Sequence, residues 1–349
     1  MRARRNTAPA ETSRDLHLAA SWYVALPSAT LGRKPRPVTL FGQELVAWRG
    51  AGGRPVIMRR HCPHMGASLA RGRLVDGLLE CPFHGWRFDT SGSCAAIPGS
   101  ERIPAAASSP PYPVVERYGY VWVWYGGPEP IFDLPDMPSM APHTDRYRHF
   151  RLADTTNATV RRIMENTYDP DHLIELHGLE VAGHPSLRMV DDPGVFRDHG
   201  APMSPDVWVG AELTWPRYAG RLGNITRLLG TNAGSFVLRV DGWAAGQRIS
   251  YLADGAEQYQ LLLAATPIAA NRTVQHITVA VEKSGRRARD LFNLLVNRLE
   301  ITFTSNQDLP IFNTIREGDE HGIYLDSDHG VRRFRKHYQS WVDRADARV

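Results

Sequence analysis

Two short segments between residues 62 and 86 each offer one cysteine and one histidine, and this pairing constrains the chain more than any other feature. The four residues are Cys62, His64, Cys81 and His84. Such a set suits a mixed Cys/His iron–sulfur centre, in which two thiolates hold one iron and two imidazoles hold the other. Neutral nitrogen ligands raise the reduction potential well above that of an all-cysteine cluster. The segments therefore predict an electron-carrying centre.

The spacing argues against two other uses of these residues. Zinc sites usually group ligands of one kind, whereas each segment here mixes the two kinds. A disulfide between Cys62 and Cys81 is disfavoured because the basic N-terminus leads into no apolar core of a secretion signal. The two complete half-motifs, CPH and CPFHGW, resemble the Rieske 2Fe-2S motif.

Length and composition are those of an ordinary globular chain. The 349 residues are 42% hydrophobic and 22% charged, which allows two domains, each with its own core. No run approaches the ~18 consecutive apolar residues of a membrane span. We expect residues 1–20 to form a disordered tail and the protein to be cytoplasmic. The formal charge of +4 comes mostly from arginines interleaved with acids, which does not predict nucleic-acid binding.

Several arginines lie close in sequence to the two ligand segments. They are Arg54, Arg59, Arg60, Arg71, Arg73 and Arg87. They either form a basic rim that attracts an acidic electron donor or belong to an ordinary solvated surface. The sequence leaves both interpretations open.

The remaining pattern predicts an α+β protein. Short β-prone runs separated by Gly and Pro turns predict an all-β domain over residues 21–130 that carries the cluster. Residues 131–145 are rich in proline and predict a connector. Over residues 131–349 we expect an antiparallel sheet, a long helix at residues 286–312 and a last amphipathic helix. Cys94, the third cysteine, is expected to be a buried small hydrophobe.

A helical stretch at residues 165–178 supplies a second pair of candidate ligands. His172 and His177 are five residues apart, which is not the spacing of one straight helix face, so we expect a helix irregularity at or before His177. A non-haem Fe(II) centre needs two histidines and one carboxylate, with positions left open for dioxygen and substrate.

Asp308 is the preferred third ligand. On a helix it shares a face with Ile301, Thr304, Ile311 and Phe312. A charge on such an apolar face needs a metal or a partner. The plain alternative is that Asp308 ends the helix near Pro310, in which case Glu300 or Asp319 comes next.

Together, these features make nearly the whole chain resemble the oxygenase (α) subunit of a Rieske non-haem iron oxygenase. The pattern Asn-x-x-Asp-x-x-His-x₄-His begins at Asn166 and includes Asp169, and a distant Asp follows. The resemblance implies a helix-grip catalytic domain, a Rieske 2Fe-2S cluster and a mononuclear Fe(II). It also implies a homotrimer, and electrons from a separate ferredoxin and/or NAD(P)H-dependent reductase.

Within this family the chain resembles the branch of ketosteroid hydroxylases, sterol desaturases and aromatic O-demethylases. That branch implies oxidation of a bulky hydrophobic molecule with dioxygen, as a monooxygenase. Hydroxylation, demethylation, desaturation and cyclisation all remain open. Five aromatic residues either line the pocket or belong to the core: Trp208, Trp215, Tyr218, Phe236 and Trp243.

Asn166 and Asp169 are the candidate catalytic residues. Asp169 lies three residues before His172, so on a helix its carboxylate reaches the ring nitrogen that does not bind the metal. The resemblance further implies that Asp169 connects His84 of one subunit to His172 of the next. A helix-end charge that interacts with the macrodipole is the plain alternative.

Two other functions compete with the oxygenase. One is a Rieske electron-transfer protein whose C-terminal domain binds a ligand, and the other is a zinc hydrolase built on the two histidines. An electron carrier needs no open metal site, and a zinc hydrolase needs no iron–sulfur cluster. The group of His172, His177 and Asp308 therefore favours the oxygenase.

Overall fold

The computed structural model describes residues 16–141, 144–178, 180–181, 185–216, 218–219, 235–316 and 322–347. The described chain has the predicted α+β architecture, with short β-sheets first and a large antiparallel sheet with long helices after them. None of its described helices is long and apolar enough to cross a membrane.

Ten short strands make up the N-terminal part. They are β1 (Ser21–Pro27), β2 (Arg36–Leu40), β3 (Gln43–Arg49), β4 (Pro55–Arg59), β5 (Arg73–Val75), β6 (Leu78–Glu80), β7 (Arg87–Phe88), β8 (Cys94–Ala96), β9 (Val114–Arg117) and β10 (Tyr120–Tyr125). They pair as three sheets in the orders β1-β10-β9, β2-β3-β4 and β5-β6-β7-β8. The short strands that the sequence predicts over residues 21–130 are present.

The cores do not divide at residue 130. A small core around β3, β4 and β6 contains Cys62, Cys81 and Cys94, so Cys94 is the buried hydrophobe that the sequence predicts. Strands β1 and β10 instead share one continuous core with the large sheet, and Trp22 and Trp243 belong to the same cluster. The first sheet is thus a packing layer for both halves of the chain.

The predicted tail ends earlier than residue 20. Residues 1–15 lie outside the described residues. Leu16, Leu18 and Ala19 are buried in the large core, and the amide of Ala20 donates to the carbonyl of Trp341, 2.9 Å away. In the predicted connector, residues 131–141 form no strand or α-helix, yet Leu134 is buried.

A seven-stranded antiparallel sheet carries the C-terminal half. Its strands are β11 (Tyr147–Thr156), β13 (Ser186–Val190), β14 (Val209–Pro216), β16 (Ser235–Trp243), β17 (Gly246–Ala253), β18 (Ala256–Ala269) and β19 (Arg272–Glu282), in the order β11-β19-β18-β17-β16-β14-β13. A two-residue pair, β12 (Glu180–Val181) with β15 (Tyr218–Ala219), lies outside it. Successive side chains of a strand point to opposite faces, so one face of the sheet turns towards the helices.

Four helices lie against this sheet. They are α1 (Val160–Glu165), α2 (Asp171–Glu175), α3 (Arg287–Phe312) and α4 (His329–Asp346). Helix α3 agrees with the predicted long helix within one residue and continues through Pro310 to end two residues later. The Arg335 guanidinium of α4 binds the Glu165 carboxylate through two hydrogen bonds of 2.7 and 2.8 Å. This bidentate pair holds the end of α1 in place.

A buried polar network stabilises the large sheet. Asp241 accepts hydrogen bonds from His199 at 2.7 Å and Trp208 at 2.9 Å, and it pairs with Arg248. His199 also bonds to Ser250 at 2.6 Å, which gives a Ser–His–Asp order. Ser250 and Asp241 are fully buried, so no substrate reaches the serine and the network is structural.

We expect Asp241→Asn to lower the free energy of unfolding by about 3–5 kcal/mol, because it leaves Arg248 buried without its counter-charge. Burial alone would raise the pKa of Asp241, but the His199 hydrogen bond and the Arg248 charge outweigh burial and hold it below the ordinary 3.8. This stabilisation is therefore complete above pH 3.8 and is lost as the pH falls below that value. Chemical denaturation followed by circular dichroism measures both effects.

The control for this prediction is Asp198→Asn. Asp198 pairs with Arg239 at 3.0 Å and its side chain is 42% exposed, so its loss costs below about 1 kcal/mol. Equal losses in the two variants would contradict the assignment of the buried network.

Candidate metal centres

The two cluster segments fold into loops of the same design. In each loop the cysteine carbonyl accepts the amide of the glycine four residues later, Gly66 or Gly85. Both glycines have positive φ, 72° and 70°, which residues with a Cβ rarely adopt. The cysteine amides donate in turn to the carbonyls five residues later. Each loop therefore turns back on itself and exposes its histidine.

The four candidate ligands lie at one end of the small core. Cys62 and Cys81 are each 3% exposed, whereas His64 and His84 are exposed, and their ring centroids are 4.6 Å apart. The Trp86 ring stacks on His64 with centroids 4.5 Å apart and planes at 5°. The thiols thus lie inside and the imidazoles outside, as one cluster held between the two loops requires.

The chemistry of these donors fits an iron–sulfur cluster. Burial raises the pKa of the Cys62 thiol to about 11, so this site disfavours a bare thiolate. A bound cation removes that cost, since metal ligation deprotonates a thiol. The cysteines are unpaired, which excludes the disulfide alternative.

We expect Cys81→Ala to abolish the visible absorption of the purified protein and to lower its iron content by about two atoms per chain, because one lost thiolate leaves the cluster without a ligand. Cys94→Ala is the matched control. Its thiol is also buried, but its nearest polar partner is the carbonyl of Ala96 at 3.4 Å, so the spectrum should stay unchanged. Colour loss in both variants, or zinc in the wild-type site, would contradict the ligand set.

The second candidate centre lies where the helical stretch breaks. Helix α1 passes into a short 3₁₀ turn at Asn166–Tyr168, and Asp169 then has extended backbone angles. Helix α2 begins two residues later and ends at Glu175, so His177 lies past its end. The predicted irregularity is confirmed, and it turns both histidines towards α3.

Both histidines present the same ring nitrogen. His172 donates from Nδ1 to the main-chain carbonyl of Asp169 at 2.6 Å, and His177 donates from Nδ1 to Oε1 of Gln307 at 3.1 Å. An imidazole that donates from Nδ1 keeps its lone pair on Nε2. Each Nε2 therefore keeps a lone pair that can bind a metal, although in this structure that of His172 accepts from the Asn166 amide 3.2 Å away. No local sequence pattern pointed to Gln307, because its partner is 130 residues away.

Asp308 completes the group. Donor atoms of His172, His177 and Asp308 all lie within 4.8 Å of one another, and Nε2 of His177 is 3.3 Å from Oδ1 of Asp308. Burial alone would lower the pKa of His177, but the Asp308 carboxylate outweighs it and raises that pKa. Burial lowers the pKa of His172. Two lone-pair atoms facing each other require a proton or a cation, so the set fits a two-histidine, one-carboxylate site.

The two predicted catalytic residues flank this group. The amide of Asn166 is 3.2 Å from Nε2 of His172. The Asp169 carboxylate lies 3.9 Å from Nδ1 of His172 and accepts the amide of Asp171 at 3.0 Å. Asp169 precedes α2 in extended conformation, so within one chain its main-chain carbonyl is the group that meets the ring. The role of its carboxylate as a link to His172 stays a prediction.

A cavity of about 160 Å³ opens beside the three candidate ligands. Its apolar walls include Leu238, Ile249, Leu261, Leu263, Ile277 and Ile301. Asn166, Thr304, Gln275 and Glu300 also line it. The sequence places Ile301, Thr304 and Ile311 on the same helix face as Asp308. Ile301 and Thr304 line the cavity, whereas Ile311 is 44% exposed.

The predicted aromatic residues do not line this cavity. Trp208, Trp215, Phe236 and Trp243 are core residues, and the side chain of Tyr218 lies outside the described residues. Trp215 and Trp243 are fully buried, because the face of the sheet that they occupy is already packed. The fallback ligand Asp319 also lies outside the described residues.

We expect Gln307→Leu to weaken binding of the mononuclear iron by about 10–100-fold, because the Nδ1 proton of His177 loses its acceptor. His177→Ala and Asp308→Ala should lose that iron altogether. All three should keep the cluster absorption. Gln339→Leu, which removes an exposed glutamine bonded to Asp343, is the control. Iron(II) titration of the metal-depleted site measures the affinity, and wild-type affinity in Gln307→Leu would refute the role of this residue.

Comparison with known proteins agrees with both centres. The model of the Rieske [2Fe-2S] domain matches residues 21–111. The aminopyrrolnitrin oxygenase PrnD of Pseudomonas fluorescens is 38% identical over 336 residues, which cover 94% of this chain and 92% of that protein. The cholesterol 7-desaturase nvd 1 of Ciona intestinalis is 38% identical over 145 residues, 41% of this chain and 31% of that protein.

The fold also matches solved structures over its whole length. Dicamba monooxygenase bound to 3,6 dichlorosalicylic acid has a TM-score of 0.71 at 20% identity, covering 95% of this chain and 99% of that one. Another structure of that enzyme contains non-heme iron. At this identity the likeness establishes the fold.

An α+β chain with a Rieske domain and a helix-covered antiparallel sheet defines an iron-dependent oxidoreductase. On its full-length similarity to the Pseudomonas fluorescens oxygenase, the chain belongs to the Rieske non-haem iron oxygenases. Its cofactors are a Rieske 2Fe-2S cluster and a non-haem iron. The oxygenase is thereby favoured over the electron-transfer protein and the zinc hydrolase.

Proposed function

We propose that this oxygenase is a monooxygenase that oxidises an apolar, amino-bearing molecule of one or two rings, at an iron held by His172, His177 and Asp308. The observation that carries this proposal is the apolar cavity that opens directly beside these three side chains. Its volume of about 160 Å³ matches a cavity that holds one benzene ring. We therefore favour a smaller substrate than the sterols that the sequence suggests.

We infer an amino group on the substrate from the relative that aligns with nearly the whole chain. That protein is by its name an oxygenase of aminopyrrolnitrin, an amino compound, and it aligns with 94% of this chain. The cholesterol 7-desaturase aligns with 41%, so it supports the sterol class less. Hydroxylation, demethylation, desaturation and cyclisation remain alternative outcomes for this site.

Different parts of the site have different roles in the proposed reaction. Bound iron supplies the activation of dioxygen in open coordination positions. The apolar walls orient the substrate and exclude water. The Asp169 carbonyl and Gln307 hold the two imidazoles in the tautomer that leaves Nε2 free. Asn166 adds an amide donor beside His172, at the edge where dioxygen and substrate meet.

Electrons reach this iron, in our proposal, through Cys62, His64, Cys81 and His84 from a separate ferredoxin or reductase. Three of the six arginines of the predicted rim form ion pairs within the chain, since Arg73 and Arg87 share Glu80 and Arg60 pairs with Glu44. Arg54, Arg59 and Arg71 carry no ion pair within the described chain. An acidic donor would therefore meet these three.

The proposal includes a homotrimer in which Asp169 links His84 of a neighbouring chain to His172. The Asp169 side chain is 34% exposed and His84 is exposed, so both are within reach of another chain. Helix α3 also carries an exposed apolar stripe, which is typical of an interaction surface. The stripe comprises Leu291, Phe292, Leu295, Leu299 and Phe303. A cytoplasmic location belongs to the same proposal, because unpaired thiols suit a reducing compartment.

Leu261→Trp tests the site. We expect the larger side chain to fill the cavity and to lower turnover by more than about 100-fold, with both metal centres retained. Turnover is measured as incorporation of ¹⁸O from dioxygen into small aryl amines, with a ferredoxin and reductase supplied. Ile323→Trp, at a side chain that is 93% exposed and outside the cavity and the apolar stripe, is the control. Retained turnover in Leu261→Trp, or oxygen use that no substrate stimulates in the wild type, would contradict the proposal.

A further inference from the structure

Most polar side chains of the cavity already have partners. Ser305 donates from Oγ to Oδ2 of Asp154 at 2.9 Å. Thr304 donates from Oγ1 to the main-chain carbonyl of Glu300, also at 2.9 Å. Both hydroxyl protons are already donated to acceptors of the helix and the sheet, so neither is available to a ligand.

Two acceptors in the same cavity have no partner. Gln275 is 6% exposed, and its buried Oε1 makes no hydrogen bond. The Glu300 carboxyl has no hydrogen-bond partner within the described chain, and burial raises its pKa. Buried polar groups are nearly always hydrogen-bonded, so an unpaired one calls for an explanation such as a ligand or a water.

The two acceptors come from different elements of the fold. Glu300 lies on α3 eight residues before Asp308, which is about 12 Å along the helix axis. Gln275 lies on β19, where it is in register with Asp154 of β11 and Ala265 of β18. Its neighbour on the same face, Ile277, is one of the apolar walls. Besides the candidate iron ligands, the apolar cavity therefore has two unpaired acceptors, one on a helix and one on a strand.

We propose that Glu300 and Gln275 bind a hydrogen-bond donor, an N–H or O–H group, carried by the substrate. This inference rests on the proposed function, because it specifies the substrate of the same cavity. Either protonation state of a carboxyl offers an acceptor oxygen. A molecule without a donor would leave the buried Oε1 of Gln275 and the half-buried Glu300 carboxyl unpaired, and unpaired polar groups are a strong basis for discrimination by a pocket.

Binding of two matched probes tests this inference. 5-Aminoindane and 5-methylindane share shape and size, but only the first carries N–H donors. We expect the wild-type holoenzyme, titrated calorimetrically without oxygen, to bind the amine about 10-fold more tightly, since a net hydrogen bond contributes close to one decade of affinity. Glu300→Leu and Gln275→Leu should each reduce this preference, and the double variant should bring the ratio close to ~1.

Two further variants separate recognition from structure. Glu300→Gln keeps an acceptor oxygen and should keep the preference. Ile277→Val thins the apolar wall and should weaken both probes by the same factor. Because the Glu300 carboxyl is unpaired and half-buried, Glu300→Leu should be at least as stable to heat as the wild type. A lower melting temperature in Glu300→Leu would indicate a structural role and overturn the inference.

The remaining outcomes tell the two proposals apart. If both probes bind the wild type and the ratio does not change in the double variant, the acceptor pair holds water only, and the inference fails while the proposed function stands. If neither probe binds the wild type, the cavity does not accept a small ring and both proposals fail.

Discussion

The approach of His177 to Asp308 is the contact on which the catalytic half depends. It joins the turn after α2 to the long helix α3, two segments 131 residues apart in the chain. Helix α3 lies across the large sheet, and the Arg335–Glu165 pair holds the end of α1. The sheet, the helix break and the salt bridge thus act together to bring three ligands within 4.8 Å. Without that approach the cavity would have apolar walls but no group of three candidate ligands beside it.

Some buried polar groups of this protein are fully hydrogen-bonded, and others have no partner within the described residues. The Asp241 carboxylate is bonded to His199, Trp208 and Arg248, so its charge is compensated and it stabilises the fold. Three groups that face the candidate mononuclear metal or the cavity are left incomplete. The lone pair of His177, Oε1 of Gln275 and the Glu300 carboxyl each lack a partner that a cation or ligand supplies. Residue type alone does not separate structure from function, since Ser250, His199 and Asp241 have the residue types of a hydrolase.

Local patterns were readable from the sequence, and long-range contacts were not. The cluster loops and the break before His177 follow from residues close together in the chain. Asp308 was identified as a candidate because a charge on an apolar helix face needs a partner, but nothing local joins it to His177. Gln307, Gln275 and Glu300 as a substrate contact were missed for the same reason.

Which residues are buried was also not always predictable from the sequence. The aromatic residues of the large sheet were ambiguous because alternation shows that a strand has two faces but not which one is packed. The packing of Leu16 and strand β1 could not be read from local sequence, because both pack against elements from the other end of the chain.

The central claim is that one chain holds a Rieske cluster and a separate mononuclear iron. Metal analysis of the anaerobically reconstituted protein, combined with electron paramagnetic resonance before and after addition of dithionite, tests it most directly. We predict about three iron atoms per chain, of which about two belong to a cluster whose signal appears only on reduction, and no zinc. Zinc at either site, or an iron content that the cluster alone explains, would contradict the account.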